Sequence, residues 1–116
     1  WFGDPAFDIA FCLNHLLLKC LVRPAERALL RRAFEAFVDA YFARAAFEPR
    51  PPLEARAASL LPGLSLARVD GKSPVEYLTR DADRETVRRA AAPLILRPPS
   101  TLAEVAARWH DALSGG

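Results

Sequence analysis

This sequence predicts an all-α fold, a compact multi-helix bundle. Three observations carry the prediction: apolar residues recur at helical spacing along most of the chain, no segment alternates apolar and polar residues with period two, and the β-branched residues are scattered. Prolines punctuate the helical stretches and do not gather into a low-complexity linker. The 116 residues suffice for one domain, 1–116, and a hydrophobic content of 52% supplies its core.

The first helix opens at Asp4-Pro5, where aspartate caps free N–H groups and proline fits the first helical position, and it runs to about Val22. Its apolar residues Phe7, Ile9, Ala10, Phe11, Leu13, Leu16, Leu17, Leu18 and Leu21 cover most of the circumference, which predicts burial on several sides. One narrow stripe differs: at about 100° per residue, Asp8, Cys12, His15 and Lys19 fall on a single line. The second helix spans 24–47. It sets Leu30, Phe34, Phe37, Val38, Tyr41 and Phe42 against a polar face of Glu26, Arg27, Arg31, Glu35, Asp39 and Arg44. Glu48-Pro49-Arg50-Pro51-Pro52 ends it.

A third helix covers 53–61, Pro62-Gly63 kinks or breaks it, and a short helix at 64–68 follows. After the turn Asp70-Gly71-Lys72, Ser73-Pro74-Val75-Glu76 reads as a capping box that opens a short helix through Leu78. Asp83 caps a helix running to about Leu96, with Pro93 as a kink, and Pro98-Pro99 separates it from the last. Thr101-Leu102-Ala103-Glu104 is a second capping box. It opens a helix with Leu102, Val105, Ala106, Trp109 and Leu113 on one side, and Ser114-Gly115-Gly116 is a frayed end or a tag remnant.

Sixteen basic and fourteen acidic residues are interspersed, for a formal net charge of +2. No block of like charge suggests a nucleic-acid arm, and no nucleic-acid partner is expected. The run Leu16-Leu17-Leu18 is too short to cross a membrane, and no basic segment followed by an apolar stretch marks a signal peptide. A cytoplasmic chain without a membrane partner is the default expectation. Cys12 and Cys20 stand eight residues apart on one helix, roughly 12 Å along its axis, beyond disulfide reach. No Cys/His cluster accompanies them, so no metal site is assigned. The chain lacks methionine and opens on Trp1-Phe2, which points to a fragment with its upstream portion missing.

Two segments are candidates for chemistry. On the first-helix stripe, Asp8 is either part of a solvent face or a carboxylate turned inward to anchor another segment by hydrogen bonds, since an unpaired buried carboxylate is too costly. His15 and Lys19, one turn apart, suit an anion or simply water. In the second segment, Arg68, Asp70 and Lys72 flank a turn beside a helix N-terminus, where an anionic or hydroxylated ligand fits. The competing reading is structural: Arg68 and Asp70 staple the turn, Gly71 supplies a positive φ and Ser73 caps the helix. A Gly-rich phosphate loop, a serine nucleophile elbow and a histidine pair at zinc spacing are all absent.

Gly3-Asp4-Pro5-Ala6-Phe7-Asp8-Ile9-Ala10-Phe11 resembles a segment of the aminoglycoside phosphotransferase and choline kinase-like superfamily, where it follows shortly after the metal-binding aspartate of a kinase-like active site. Leu13-Asn14-His15-Leu16-Leu17-Leu18-Lys19 and the stretch from Ala67-Arg68-Val69-Asp70 through Gly71-Lys72-Ser73-Pro74-Val75-Glu76-Tyr77-Leu78 look like uncharacterised bacterial members, in matching order and spacing. The resemblance implies the C-terminal part of the helical lobe of a protein-kinase-like fold, in a parent enzyme that phosphorylates a small-molecule hydroxyl with ATP and magnesium.

Asp8 matches the aspartate at the start of the helix behind the catalytic loop, a support for that loop and not a proton carrier. His15, Lys19, Arg68, Asp70 and Lys72 are candidates for the acceptor-side wall or for structural roles. The phosphate-covering lobe with its lysine, the His-x-Asp catalytic loop and the metal-binding aspartate have no counterpart here. The resemblance therefore assigns this chain no catalytic residue, no metal and no cofactor of its own, and predicts no kinase activity for it alone. The alternative reading is a non-enzymatic helical ligand-binding or protein-interaction module, self-associating through exposed apolar surface.

Overall fold

Asp4 sets the first helix. Its Oδ1 accepts the Ala6 N–H at 3.0 Å, Pro5 takes the first helical position, and α1 runs Pro5–Val22 as its capping residues predict. In this computed structural model the described residues are 4–44, 49–70 and 81–115, with backbone alone for 69, 70, 81 and 115. The helix predicted through Leu78, Gly71 and its turn, and Lys72 lie outside the described residues, as does the side chain of Asp70.

Among the described residues there are five α-helices and no strand: α1, α2 (Arg27–Arg44), α3 (Arg50–Asp70), α4 (Asp81–Leu96) and α5 (Leu102–Gly115). The all-α expectation holds. A single 3-10 turn, Pro24–Glu26, carries the chain from α1 into α2, so the proline-led start of the second helix is wound more tightly than predicted. The last helix continues through Gly115, where a frayed end was expected.

The third helix departs furthest from the sequence reading. It is one helix of 21 residues, with Pro62 inside it and Pro51 and Pro52 in its first turn. Prolines in a first turn cost little, because those N–H groups have no helical acceptor. Pro62 does remove an internal hydrogen bond, but it is buried among the helix's core contacts, and burial on both sides of Pro62 holds the axis. Leu53, Ala57, Ala58 and Leu61 before it are fully buried, and Ser65 after it is too. Packing overrode the local break. Pro93 is likewise accommodated within α4.

The core gathers one side of every helix. Ile9, Leu13, Leu17 and Leu18 of α1 meet Leu53 and Leu61 of α3, Val87 and Leu94 of α4, and Leu102, Val105 and Trp109 of α5 in one cluster. All five residues predicted for the buried side of the last helix are buried. From α2 only Phe34 and Val38 are buried, while Phe37 lies exposed and Leu30, Tyr41 and Phe42 pack at the edge. α2 is thus an outer helix attached by a narrow strip. By length and composition α1 is apolar enough to span a membrane, and half of it is buried inside the bundle, as in a core helix.

Direction follows from the polar contacts. Asp4 at the start of α1 pairs with Arg56 near the start of α3, and His15 feels the charge of Arg68 near the end of α3, so α1 and α3 run side by side in the same direction. They form the most extensive helix–helix contact. α5 runs from the first turn of α3, where the Leu102 N–H donates to Glu54 at 2.7 Å, to the last turns of α1, where the Trp109 indole donates to the Leu17 carbonyl at 3.0 Å.

Candidate functional site

Helical geometry decides which face of α1 is available. Ala6, Ile9, Ala10, Leu13, Leu17 and Leu18 take the inward side, and this places Asp8, Cys12 and Lys19 outside, with His15 at the margin. The predicted stripe exists and is a surface stripe. It is broader than expected: Phe7 and Phe11, read as buried, are 44% and 43% exposed. Their rings stack at 6.1 Å, and the Phe11 ring meets the His15 imidazole edge-on at 5.5 Å. The outer face of α1 is therefore an aromatic ladder flanked by polar groups.

Asp8 is exposed, and no hydrogen bond or ion pair engages its carboxylate among the described residues. The inward-turned anchoring carboxylate is not found, because Ala6, Ile9, Ala10 and Leu13 already occupy the inward arc at that level. What the structure offers instead is a carboxylate beside two exposed phenyl rings. Asp4 is spoken for: its two oxygens accept two N–H groups of Arg56, each at 2.9 Å, and that bonding to Arg56, with the Ala6 N–H, holds its carboxyl below the usual range.

Arg68 of α3 and Lys19 of α1 lie close enough to His15 for their charges to act on its imidazole across the α1–α3 seam. Burial first, then the charges of Arg68 and Lys19, push the His15 imidazole below its ordinary value, so it is neutral near pH 7. Asp70 and Lys72 belong to the undescribed part of that end. The Arg68 Nε is buried without a hydrogen-bond partner among the described residues.

Sequence reasoning missed two arrangements. The first joins Cys20 of α1 to His110 of α5, Sγ to Nε2 at 3.8 Å, ninety residues apart in the chain. Burial pushes the Cys20 thiol up, and burial with Arg31 and Arg27 nearby pushes His110 down against the opposing Asp111 and Glu35. A protonated, buried thiol beside a neutral imidazole is a packing pair and no nucleophile. No sequence spacing signals it.

The second is the network around Glu54, a buried carboxylate. It binds Arg50 at 2.9 Å and caps α5 through the Leu102 N–H. Arg50 also lies over the Phe42 ring, 4.6 Å from its centroid. Beside Glu54 opens a groove of about 290 Å³ floored by Phe34 and Val38 and edged by Glu35 and Asp39. The capping box predicted for α5 is half realised: the Thr101 hydroxyl accepts the Glu104 N–H at 3.3 Å, whereas the Glu104 side chain pairs with Arg108 at 3.6 Å.

Among the described residues no three His, Cys, Asp or Glu side chains gather to hold a metal. The described residues therefore offer no carboxylate set that fits a nucleotide-bound magnesium. No family model, no curated protein and no solved structure matches the chain.

Proposed function

We propose that this chain is the helical, acceptor-side part of an ATP-dependent small-molecule phosphotransferase, with the catalytic loop and nucleotide lobe supplied by another segment and no kinase activity in the chain alone. One observation carries the reading beyond the resemblance of residues 3–11. A helix otherwise sunk in the core presents Asp8 outward between Phe7 and Phe11. Exposed phenyl rings around an unengaged carboxylate suit a face on which a further polypeptide segment seats, with apolar contact on either side and Asp8 accepting backbone N–H groups. In this role Asp8 braces the loop and transfers no proton. The acceptor is a small molecule with a hydroxyl, and His15, Lys19 and Arg68 stand where one end of it would be held.

The test joins the chain to the sequence encoded before it and follows ADP release with a panel of hydroxylated acceptors. Activity in the joined protein, with a loss on the order of 100-fold in Asp8→Asn, supports the bracing role, since small misplacements of a catalytic loop cost that much. Tight magnesium-dependent ATP binding by the isolated chain overturns it, as does an upstream sequence without a His-x-Asp segment.

The alternative interaction module draws on the same aromatic ladder and on Leu29 and Phe37 of α2, which are also exposed. Concentration-dependent self-association that Phe11→Ser abolishes favours that reading.

A further inference from the structure

The groove beside Glu54 exists because α2 is held by a narrow strip. Phe34 and Val38, one turn apart, are the buried residues of that helix, and Glu35 and Asp39 follow them round onto its exposed side. Across from the strip stand the first turns of α3 and α5, where the small side chain of Ala103 leaves the gap unfilled. The result is a concavity of about 290 Å³, apolar at its floor and edged by Glu35, Asp39, Arg50 and Glu54. A liquid water takes about 30 Å³, so the space suits a molecule of roughly ten non-hydrogen atoms.

The charge of the groove runs against that of the chain. The sequence carries a formal net charge of +2, yet three carboxylates meet one guanidinium here. Glu54 is buried and satisfied: Arg50 donates to one oxygen at 2.9 Å and the Leu102 N–H to the other at 2.7 Å. Glu35 and Asp39 remain. They stand one turn apart on one rim, and among the described residues no hydrogen bond or ion pair engages either, although Arg31 precedes Glu35 by one turn. Two like charges on one rim repel each other, and a cation placed between them relieves the repulsion.

The chain itself shows what kind of group fits. The Arg50 guanidinium sits between a carboxylate and a ring: it bonds Glu54 and lies over Phe42, 4.6 Å from the centroid. That cation serves Glu54, and no second one serves the Glu35–Asp39 rim among the described residues.

We propose that this groove binds a small organic cation, an ammonium or guanidinium head on an apolar stem. The stem lies against Phe34, Val38 and Ala103, and the head donates N–H groups to the Glu35 and Asp39 carboxylates. Both carboxylates want donors, so a head without N–H, such as a quaternary ammonium, is a poor ligand. Glu54 and Arg68 stand fourteen residues apart on α3, about 21 Å along the helix. The groove is therefore separate from the place given to the phosphoryl acceptor, and the proposal does not rest on the phosphotransferase reading.

The experiment titrates the 116-residue chain with n-butylamine and, separately, n-butylguanidine, at fixed ionic strength and neutral pH. It follows the methyl resonances of Val38 and Ala103 by NMR, with 1-butanol and tetramethylammonium as the neutral and the donor-free comparison. The expected result is a saturable shift with at least one of the two cations, at least tenfold weaker for both comparison compounds. Saturation by the amine alone assigns an ammonium head, and by the guanidine alone a guanidinium. Binding is expected to weaken at least tenfold in the double variant Glu35→Gln/Asp39→Asn. It is expected to be lost in Ala103→Leu, whose larger side chain fills the groove. All three positions are exposed, so both variants are expected to melt within a few degrees of the parent, which keeps loss of binding distinct from loss of fold. Linear shifts with both cations overturn the proposal. So does equal binding of 1-butanol or tetramethylammonium, or undiminished binding in either variant.

Discussion

The seam between α5 and its neighbours and the seam between the later turns of α1 and α3 both bury polar atoms, yet they treat them in opposite ways. Along α5 the buried groups have partners: the Trp109 indole bonds the Leu17 carbonyl, Glu54 bonds both Arg50 and the Leu102 N–H, and Cys20 meets His110. Where α1 meets α3, Asn14, Ser65 and the Arg68 Nε have none among the described residues. A buried polar group that is bonded adds modest stability and fixes one arrangement; the same group unbonded costs about 1–3 kcal/mol. The first seam is finished by the chain itself. The second carries a cost that no described residue of the chain relieves.

Substitutions in the two seams should therefore differ in sign. The largest effect is expected from Trp109→Ala, which empties a fully buried site and orphans the Leu17 carbonyl bond, for a loss of about 3–5 kcal/mol in urea unfolding. Glu54→Gln comes next. The amide cannot accept from both Arg50 and the α5 N-terminus, and a loss of about 1.5–3 kcal/mol is expected in the same assay. Asn14→Leu should run the other way, gaining about 1 kcal/mol in the same assay. A destabilised Asn14→Leu chain would erase the contrast.

The smallest effect concerns pH. His15 and His110 are each held below the ordinary histidine value in the folded chain, mainly by burial. The unfolded chain then takes up protons first as the pH falls. Their contribution is complete above about pH 6.5 and is lost as the pH falls through the lower folded values. The melting temperature should fall by a few degrees on going from pH 7 to pH 5, and the double variant His15→Gln/His110→Gln should flatten that slope. An unchanged slope would mean that carboxylates such as Asp4 govern the acid side.

Local chemistry explains why some elements were legible. Asp4-Pro5 and Thr101 name helix starts because cap geometry involves only a few adjacent residues. The buried side of α5 was readable because its apolar residues are few and evenly spaced. The inward side of α1 was not, since apolar residues surround that helix and periodicity cannot say which of them will lack a neighbour. Phe7 and Phe11 look no different in sequence from Leu13 and Leu17. The unbroken α3 was hidden for another reason: the proline rule is a local energy, and the burial of Leu53, Leu61 and Ser65 on either side of Pro62 is not local.

By itself the sequence determined the helical class, where α1 and α5 begin, the free cysteines, and the alignment of Asp8, Cys12, His15 and Lys19 on one stripe of α1. Each depends on residues within one or two turns of each other, where spacing alone settles the outcome. Tertiary structure decided which neighbours those residues met: Arg68 within reach of His15 by its charge, His110 beside Cys20, Glu54 at the start of α5, and no partner for Asn14 among the described residues. Contacts between positions fifty to ninety residues apart arise from how whole helices pack. That packing is chosen by the summed burial of many side chains, which no single motif records.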